Sequence, residues 1–310
     1  MKKPIIIPII ILGMFILAQL MGLLVASAYL PKTIQVLSEN GTYINQTTYN
    51  LPPWFEPSQG NDPSTNLFGV IGAVFFGVLL IFLFMKYKAE TVLRYWFFIV
   101  ISLALGITIN ALMIHIPYGY LISLLIAIPL AILKVFRRNL IVHNLTELLI
   151  YPGLASAIIP LFNVATIVIF FIFISIYDIY AVWHAGFMQK MAKYQIQNVK
   201  VFSGFFIPYM HSKNKSSINL NRKSNKKGKK VKVSVGLLGG GDIVFPIILA
   251  GVVLVQFGLL SALIISLGAT IALGTLFYFS EKGKFYPAMP FITAGCFIAL
   301  GVVYLLQYLH

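Results

Sequence analysis

Leu237-Leu238-Gly239-Gly240-Gly241-Asp242-Ile243-Val244-Phe245 places a carboxylate near the start of a long apolar run, directly after the most basic loop of the chain. A charge in hydrocarbon costs roughly 3 kcal/mol or more, so an acid in such a run is read as functional, with a partner to be found. Upstream, Ile172-Phe173-Ile174-Ser175-Ile176-Tyr177-Asp178 sets a second acid in another apolar run. The two carboxylates are the natural pair to test as one site.

Working outward, apolar runs of this kind recur along the whole chain. Of the 310 residues 59% are hydrophobic and only 10% charged, with a mean hydropathy of +0.90. A soluble domain of this length needs far more polar surface, so the chain is read as a polytopic membrane protein. Each run is about 20 residues long, the length a helix needs to cross the hydrocarbon core. The runs are continuously apolar rather than alternating, which speaks against a barrel. Nine spans are predicted, at 5–29, 67–85, 92–114, 118–136, 139–159, 161–183, 235–256, 259–279 and 287–309. The fourth and fifth are divided only by Arg137-Arg138-Asn139. Ala26-Ser27-Ala28 resembles a signal-peptide cleavage site, but the preceding run exceeds the usual length of about 7–15 residues, so the first span is expected to be retained.

Basic residues orient these spans. With the N-terminus inside, all but Lys32 of the 23 Lys and Arg fall in inside segments, twelve of them between Lys190 and Lys232. This positive-inside asymmetry predicts an N-terminus in the cytoplasm and a C-terminus outside. It also assigns the net charge of +15 to topology rather than to nucleic-acid binding. Residues 31–66 form an outside polar loop with sequons at Asn40 and Asn45. Ala185 to Tyr209, aromatic with a few lysines, suits a segment lying at the membrane surface. Residues 211–232 read as a disordered basic linker, with anionic lipid headgroups as the secondary reading. Trp54, Trp96 and Trp183 read as interface anchors. The single cysteine, Cys296, lies in an apolar run as a small buried hydrophobe.

Of the eight acidic residues, only Glu147, Asp178 and Asp242 fall within spans. Asp178 lies about six residues before the inside end of its span and Asp242 about seven after the inside start of the next, so both sit roughly 10 Å below the cytoplasmic surface at 1.5 Å per residue. Two carboxylates facing each other in a low dielectric cannot both ionise easily, so one keeps its proton. The ionised partner can then take a proton from water while the protonated one serves a leaving group. Gly239, Gly240 and Gly241 let a peptide backbone approach the aspartate and loosen the helix locally. Two other readings stay open at this level. The acids and glycines could serve ion or solute transport, or, with Gly236 and Gly240 spaced small-xxx-small, helix packing and plain polar contacts. His143 and Glu147 share a helix face four residues apart and read as a structural polar contact, since no further ligands are spaced for a metal.

Tyr177-Asp178 and Gly239-Gly240-Gly241-Asp242 resemble the YD and GxGD motifs of intramembrane aspartyl proteases. Pro287-Ala288-Met289-Pro290 is similar to the PALP motif of presenilins. All three occur in the family's order, and the nine-span plan with a long basic loop extends the resemblance over nearly the whole chain. Signal peptide peptidases share the first two motifs but are expected with the opposite orientation, so the chain resembles a prokaryotic or archaeal presenilin homologue. The resemblance implies an all-α polytopic membrane protein with nine transmembrane helices, N-terminus cytoplasmic and C-terminus outside. Residues 1–184 would hold the first six helices, 185–234 the basic loop and 235–310 the last three helices. It also implies an intramembrane aspartic endopeptidase with Asp178 and Asp242 as catalytic pair and no cofactor. Tyr177, Gly239, Gly240, Gly241, Pro287, Ala288, Met289 and Pro290 would shape the substrate cleft. Expected partners are transmembrane protein substrates, single-span ones foremost, then membrane lipids and optionally further copies of the chain, without nucleic acid. The expected location is the plasma membrane of a prokaryote. Met289 departs from the motif leucine by a volume-conserving change, and Gly240 stands where presenilins often carry leucine.

Overall fold

A computed structural model of the chain describes residues 6–37, 43–49, 51–55, 63–137, 139–184, 191, 194–199, 202–209, 234–280 and 286–309. Nine helices among them are long and apolar enough to cross a membrane. They are α1 (Ile6–Ala28), α2 (Pro63–Lys86), α3 (Glu90–Leu112), α4 (Gly119–Phe136), α5 (Leu140–Ile158), α6 (Val164–Ile179), α7 (Gly240–Phe257), α8 (Leu259–Phe279) and α9 (Met289–Leu309). A 3₁₀ turn, Ile159–Leu161, extends α5, and a π turn, Tyr180–His184, extends α6. The expected nine spans are therefore present as helices. The sequence of α6, rich in Val, Ile and Phe, would favour a strand in water. In lipid every backbone N–H and C=O must bond within its own segment, and that requirement makes it a helix.

Polar residues cut the run into its elements as expected. Asn139 caps α5 by accepting the Ile141 amide at 3.0 Å, which ends the ambiguity of the fourth and fifth spans. Asn163 and Thr166 form a reciprocal capping box at the start of α6. The seventh span is different. Residues expected as helix from 235 are a strand up to Gly239, and α7 starts at Gly240.

Two antiparallel hairpins flank the bundle. Strand β1 (Lys32–Leu37) pairs with β2 (Tyr43–Thr48) inside the stretch expected as an irregular polar loop. Thr, Ile, Val and Tyr in these strands supply the β-branched and aromatic content that favours pairing. Asn45 lies in β2, whereas Asn40 is outside the described residues, as is the basic linker 211–232. Strand β3 (Gly204–Tyr209) pairs with β4 (Ser234–Gly239), and β4 runs straight into α7. The surface-lying segment expected before the linker is corrected at its β3 end, where Phe205 is fully buried and its ring meets Tyr151 edge-on at 5.5 Å, while residues 185–190 lie outside the described residues. An aromatic ring gains as much from burial in the bundle as from the membrane interface, so composition alone did not separate the two.

Helix α7 is the centre of the bundle: 67% of its span is buried, against 6% for α2, which lies at the rim. Helix α1 packs against α5, α7 and α8, joining the halves of the chain. Its buried Gln19 donates through Nε2 to the Ile243 carbonyl at 3.2 Å. Helices α8 and α9 meet backbone to backbone, since a Cβ on Gly268 would come within 2.7 Å of the Gly295 carbonyl oxygen. Of the three tryptophans expected as interface anchors, Trp96 and Trp183 are exposed. Trp54 is not one of them. Its indole nitrogen is buried and its ring lies against Gly106 of α3.

Candidate active site

Asp178 lies on the buried face of α6 with Phe171, Ile174 and Ser175, at the spacing that repeats on one side of a helix. It is 5% exposed. Its Oδ2 accepts the Met289 amide at 3.1 Å, and the Ala288 amide also donates to the carboxylate. Met289 is the first residue of α9, so Asp178 satisfies N–H groups that a helix start leaves without partners. One turn away, Ser175 Oγ and Thr293 Oγ1 lie 2.7 Å apart and tie the same two helices. The Pro287-Ala288-Met289-Pro290 segment thus contacts the acid through its backbone.

Asp242 is the third residue of α7, not a mid-helix acid as the 235–256 span implied. Gly239 precedes the helix in an extended conformation, φ −65° and ψ 146°. Its amide donates to the Asp242 carboxylate, and a Cβ built on it would lie 3.2 Å from Oδ2. A carboxylate in the first turn also faces the positive end of the helix dipole. The expected role of the glycines, loosening a helix, is replaced by a strand-to-helix junction built at close quarters. At Gly240 a Cβ would come 2.8 Å from Ser203 Oγ and 3.1 Å from Tyr151 Cε1. The Gly240 amide donates to the Ser203 carbonyl at 3.3 Å. Only a hydrogen side chain lets the junction seat against α5.

Both carboxylates open onto one cavity of about 340 Å³. Gly239, Gly240, Gly241 and Ala288 line it with them. Tyr177, half-buried beside Asp178, and Pro287, Met289 and Pro290 are not part of that lining. Val182, Met191, Gln195, Phe202, Ser203, Leu237 and Tyr286 also line the cavity and were not expected. Val182 lies one turn past Asp178 on the extension of α6, Leu237 lies in β4 and Tyr286 adjoins the Pro287 segment, whereas Met191, Gln195, Phe202 and Ser203 come from the stretch between the two acid-bearing spans.

Beneath the junction lies a second polar group. Glu147 and Lys134 form an ion pair, each 1% exposed at the side chain. Lys134, counted above among the inside cations, is buried near the end of α4. His143 Nε2 donates to the Gly204 carbonyl at 2.9 Å and lies 3.9 Å from Glu147 Oε1. The polar contact expected of His143 and Glu147 thus gains Lys134 as its main partner. Tyr151, one turn further along α5 and fully buried, carries the face of this helix to Gly240. Cys296 is buried in α9. Among the described residues no cluster of three or more His, Cys, Asp or Glu is placed to hold a metal ion.

Comparison with known proteins agrees with this geometry. No curated protein matches the chain. Two solved structures of a presenilin family intramembrane aspartate protease, in C222 and P2 space groups, share its fold. The first has a TM-score of 0.60 at 15% identity and covers 96% of this chain and 99% of that one. The second has a TM-score of 0.59 at 14% identity and covers 96% of each. The family described as signal-peptide peptidase, presenilin aspartyl protease matches residues 54–308. A nine-helix bundle with two acids on one cavity, matched over most of its length, belongs to the signal-peptide peptidase and presenilin family of aspartyl proteases.

Proposed function

We propose that Asp178 and Asp242 are the catalytic pair of this intramembrane aspartyl protease, acting on peptide bonds within transmembrane helices of other proteins. The observation that carries the assignment is the single cavity onto which both carboxylates open, lined by the three glycines and Ala288. Two acids facing one cavity in a low dielectric share one proton between them. The ionised carboxylate takes a proton from water as its oxygen attacks the scissile carbonyl, while the protonated one gives its proton to the carbonyl oxygen. Collapse of the resulting diol then needs a proton on the departing amine, which the pair supplies in the reverse sense. No covalent intermediate forms.

A substrate helix hides its amides in internal hydrogen bonds, so it must unwind before water can reach the carbonyl. The unwound stretch regains partners by adding as a strand beside the glycine junction, which β4 leads into. The distribution of Lys and Arg supports an N-in, C-out topology with the cavity near the cytoplasmic face, and hence the presenilin branch. By the same reading the chain resides in a prokaryotic plasma membrane, meets single-span substrates among its lipids, and is open to self-association. Tyr177, Pro287, Met289 and Pro290 support the acids, and Gly239, Gly240, Gly241 and Ala288 receive the substrate backbone.

The test is cleavage of a single-span substrate by purified protein in liposomes. Asp178→Asn and Asp242→Asn each keep the shape of the carboxyl and cannot act as acid or base, so each is expected to abolish cleavage. Undiminished cleavage by either variant overturns the assignment. Proton or solute flux that depends on the same acids, without proteolysis, favours the transport reading instead.

A further inference from the structure

We propose that Asn144 is a positioning residue that selects the edge of the β3–β4 hairpin an extended substrate segment can join. The inference rests on the proteolytic reading above and adds a device to it. The Asn144 side chain treats β3 as a neighbouring strand would: Nδ2 donates to the Phe206 carbonyl at 3.0 Å, and Oδ1 accepts the Phe206 amide at 3.1 Å. A side-chain amide has the same donor and acceptor pair as a peptide group.

The parity of the hairpin follows from that contact. Phe206 turns both backbone groups towards α5, so it exchanges none with Leu237, the residue opposite it. Bonded and non-bonded pairs alternate along an antiparallel ladder, which makes Gly204–Gly239 and Pro208–Val235 non-bonded pairs as well. The Gly240 amide on the Ser203 carbonyl is a bonded pair at the position alternation requires. On the outer edge of β3, His143 then takes the Gly204 carbonyl, Asn144 takes both groups of Phe206, and Pro208 has no N–H to give. That edge is closed by α5. The same parity turns the N–H and C=O of Leu237 away from β3, and Leu237 lines the cavity with the two acids.

Asn144 thus does two things at once. It denies an extended chain the edge of β3, where addition would lead away from Asp242. It also holds β4, through β3, at the level of the carboxylates. Helix α5 is a firm mount for it, held to α4 by the buried Lys134–Glu147 pair. In sequence Asn144-Leu145-Thr146 reads only as a sequon inside a span, without meaning.

The experiment uses the full chain in liposomes and a single-span substrate that the wild type cleaves, with KM, kcat and the cleaved bonds identified by mass spectrometry. Asn144→Leu keeps the branched outline of the side chain and removes both hydrogen bonds, so KM is expected to rise about tenfold while kcat changes less than about threefold. The cleaved bonds are expected to spread over neighbouring positions. Asn144→Asp keeps the acceptor for the Phe206 amide and loses the donor, so an intermediate spread is expected. Unchanged KM and an unchanged cleaved bond in Asn144→Leu overturn the proposal. So does a fall in kcat alone with the same bond cut, since a purely structural defect does that. If Asn144→Leu does not accumulate, the bonds cut by Asn144→Asp decide in the same way. Failure of the acid-pair reading is seen separately, as cleavage by Asp242→Asn.

Discussion

The Met289 amide donates to the Asp178 carboxylate at 3.1 Å, so the first turn of α9 holds one member of the acid pair. Met289 occupies the first helical position, where proline is sterically welcome because that N–H has no helical partner. Met289→Pro therefore removes the hydrogen bond without breaking α9. A bond to a charged group contributes about 1.5–3 kcal/mol, so kcat is expected to fall about tenfold or more. Met289→Leu keeps both the amide and the volume and should retain cleavage within about twofold. Steady-state cleavage of a single-span substrate measures both, and equal activity of the two variants would remove the Met289 amide from the mechanism.

Gly240 meets Ser203 Oγ and Tyr151 at distances that leave no room for a Cβ. Gly240→Ala forces Ser203 or Tyr151 aside and shifts the first turn of α7, lowering kcat roughly tenfold through misplacement of Asp242. Adding Ser203→Ala removes the nearer obstacle and is expected to restore most of the rate. A double-mutant cycle on kcat, with no recovery in the double variant, would show that the clash is not what matters.

Lys134 and Glu147 are buried together, so removing one leaves the other charge without compensation. Glu147→Leu is expected to cost about 3–5 kcal/mol of stability, and Lys134→Met a similar amount. The Lys134→Met/Glu147→Leu double variant should regain most of that loss, because apolar replacement of a buried pair is often neutral. Thermal unfolding in detergent of the three variants measures this. Additive losses would mean that the pair is not coupled.

Tyr29, just beyond the C-terminal end of α1, donates to the Ile107 carbonyl at 2.7 Å and accepts from Asn110 at 3.0 Å. Burial pushes its hydroxyl up to about 12, with the Asn110 hydrogen bond opposing in part. Between the unfolded value near 10 and that value the folded state binds the extra proton, so stability is full below about pH 10 and falls as pH rises towards 12. A rise from 10 to about 12 corresponds to roughly 3 kcal/mol. Tyr29→Phe lacks this proton, and its stability should lose less over the same interval. The difference between the two proteins across pH 9 to about 12 isolates Tyr29 from the lysines, and parallel curves would exclude it.

Much of this molecule is legible residue by residue. Nine apolar runs of span length dictate nine helices, because in lipid the backbone has no partner outside its own segment. Asp178 and Asp242 stand out for an equally local reason, the cost of a carboxylate in an apolar run. Gly239-Gly240-Gly241 and Pro287-Ala288-Met289-Pro290 are readable as motifs, though only as strings. What the sequence did not show is where those strings sit. Gly239 to Gly241 form a strand-to-helix junction because β4 pairs with β3 across the basic linker. Lys134 counts only as one more inside cation until α4 and α5 bring it to Glu147. Phe205 suits the membrane interface equally well until Tyr151 covers it. Asn144 has no meaning until Phe206, 62 residues away, meets it. Hydropathy and charge act on each segment separately, so they decide class, spans and which acids are costly. Hydrogen-bond parity, close backbone approach and a shared cavity exist only between segments, and those the tertiary structure alone decided.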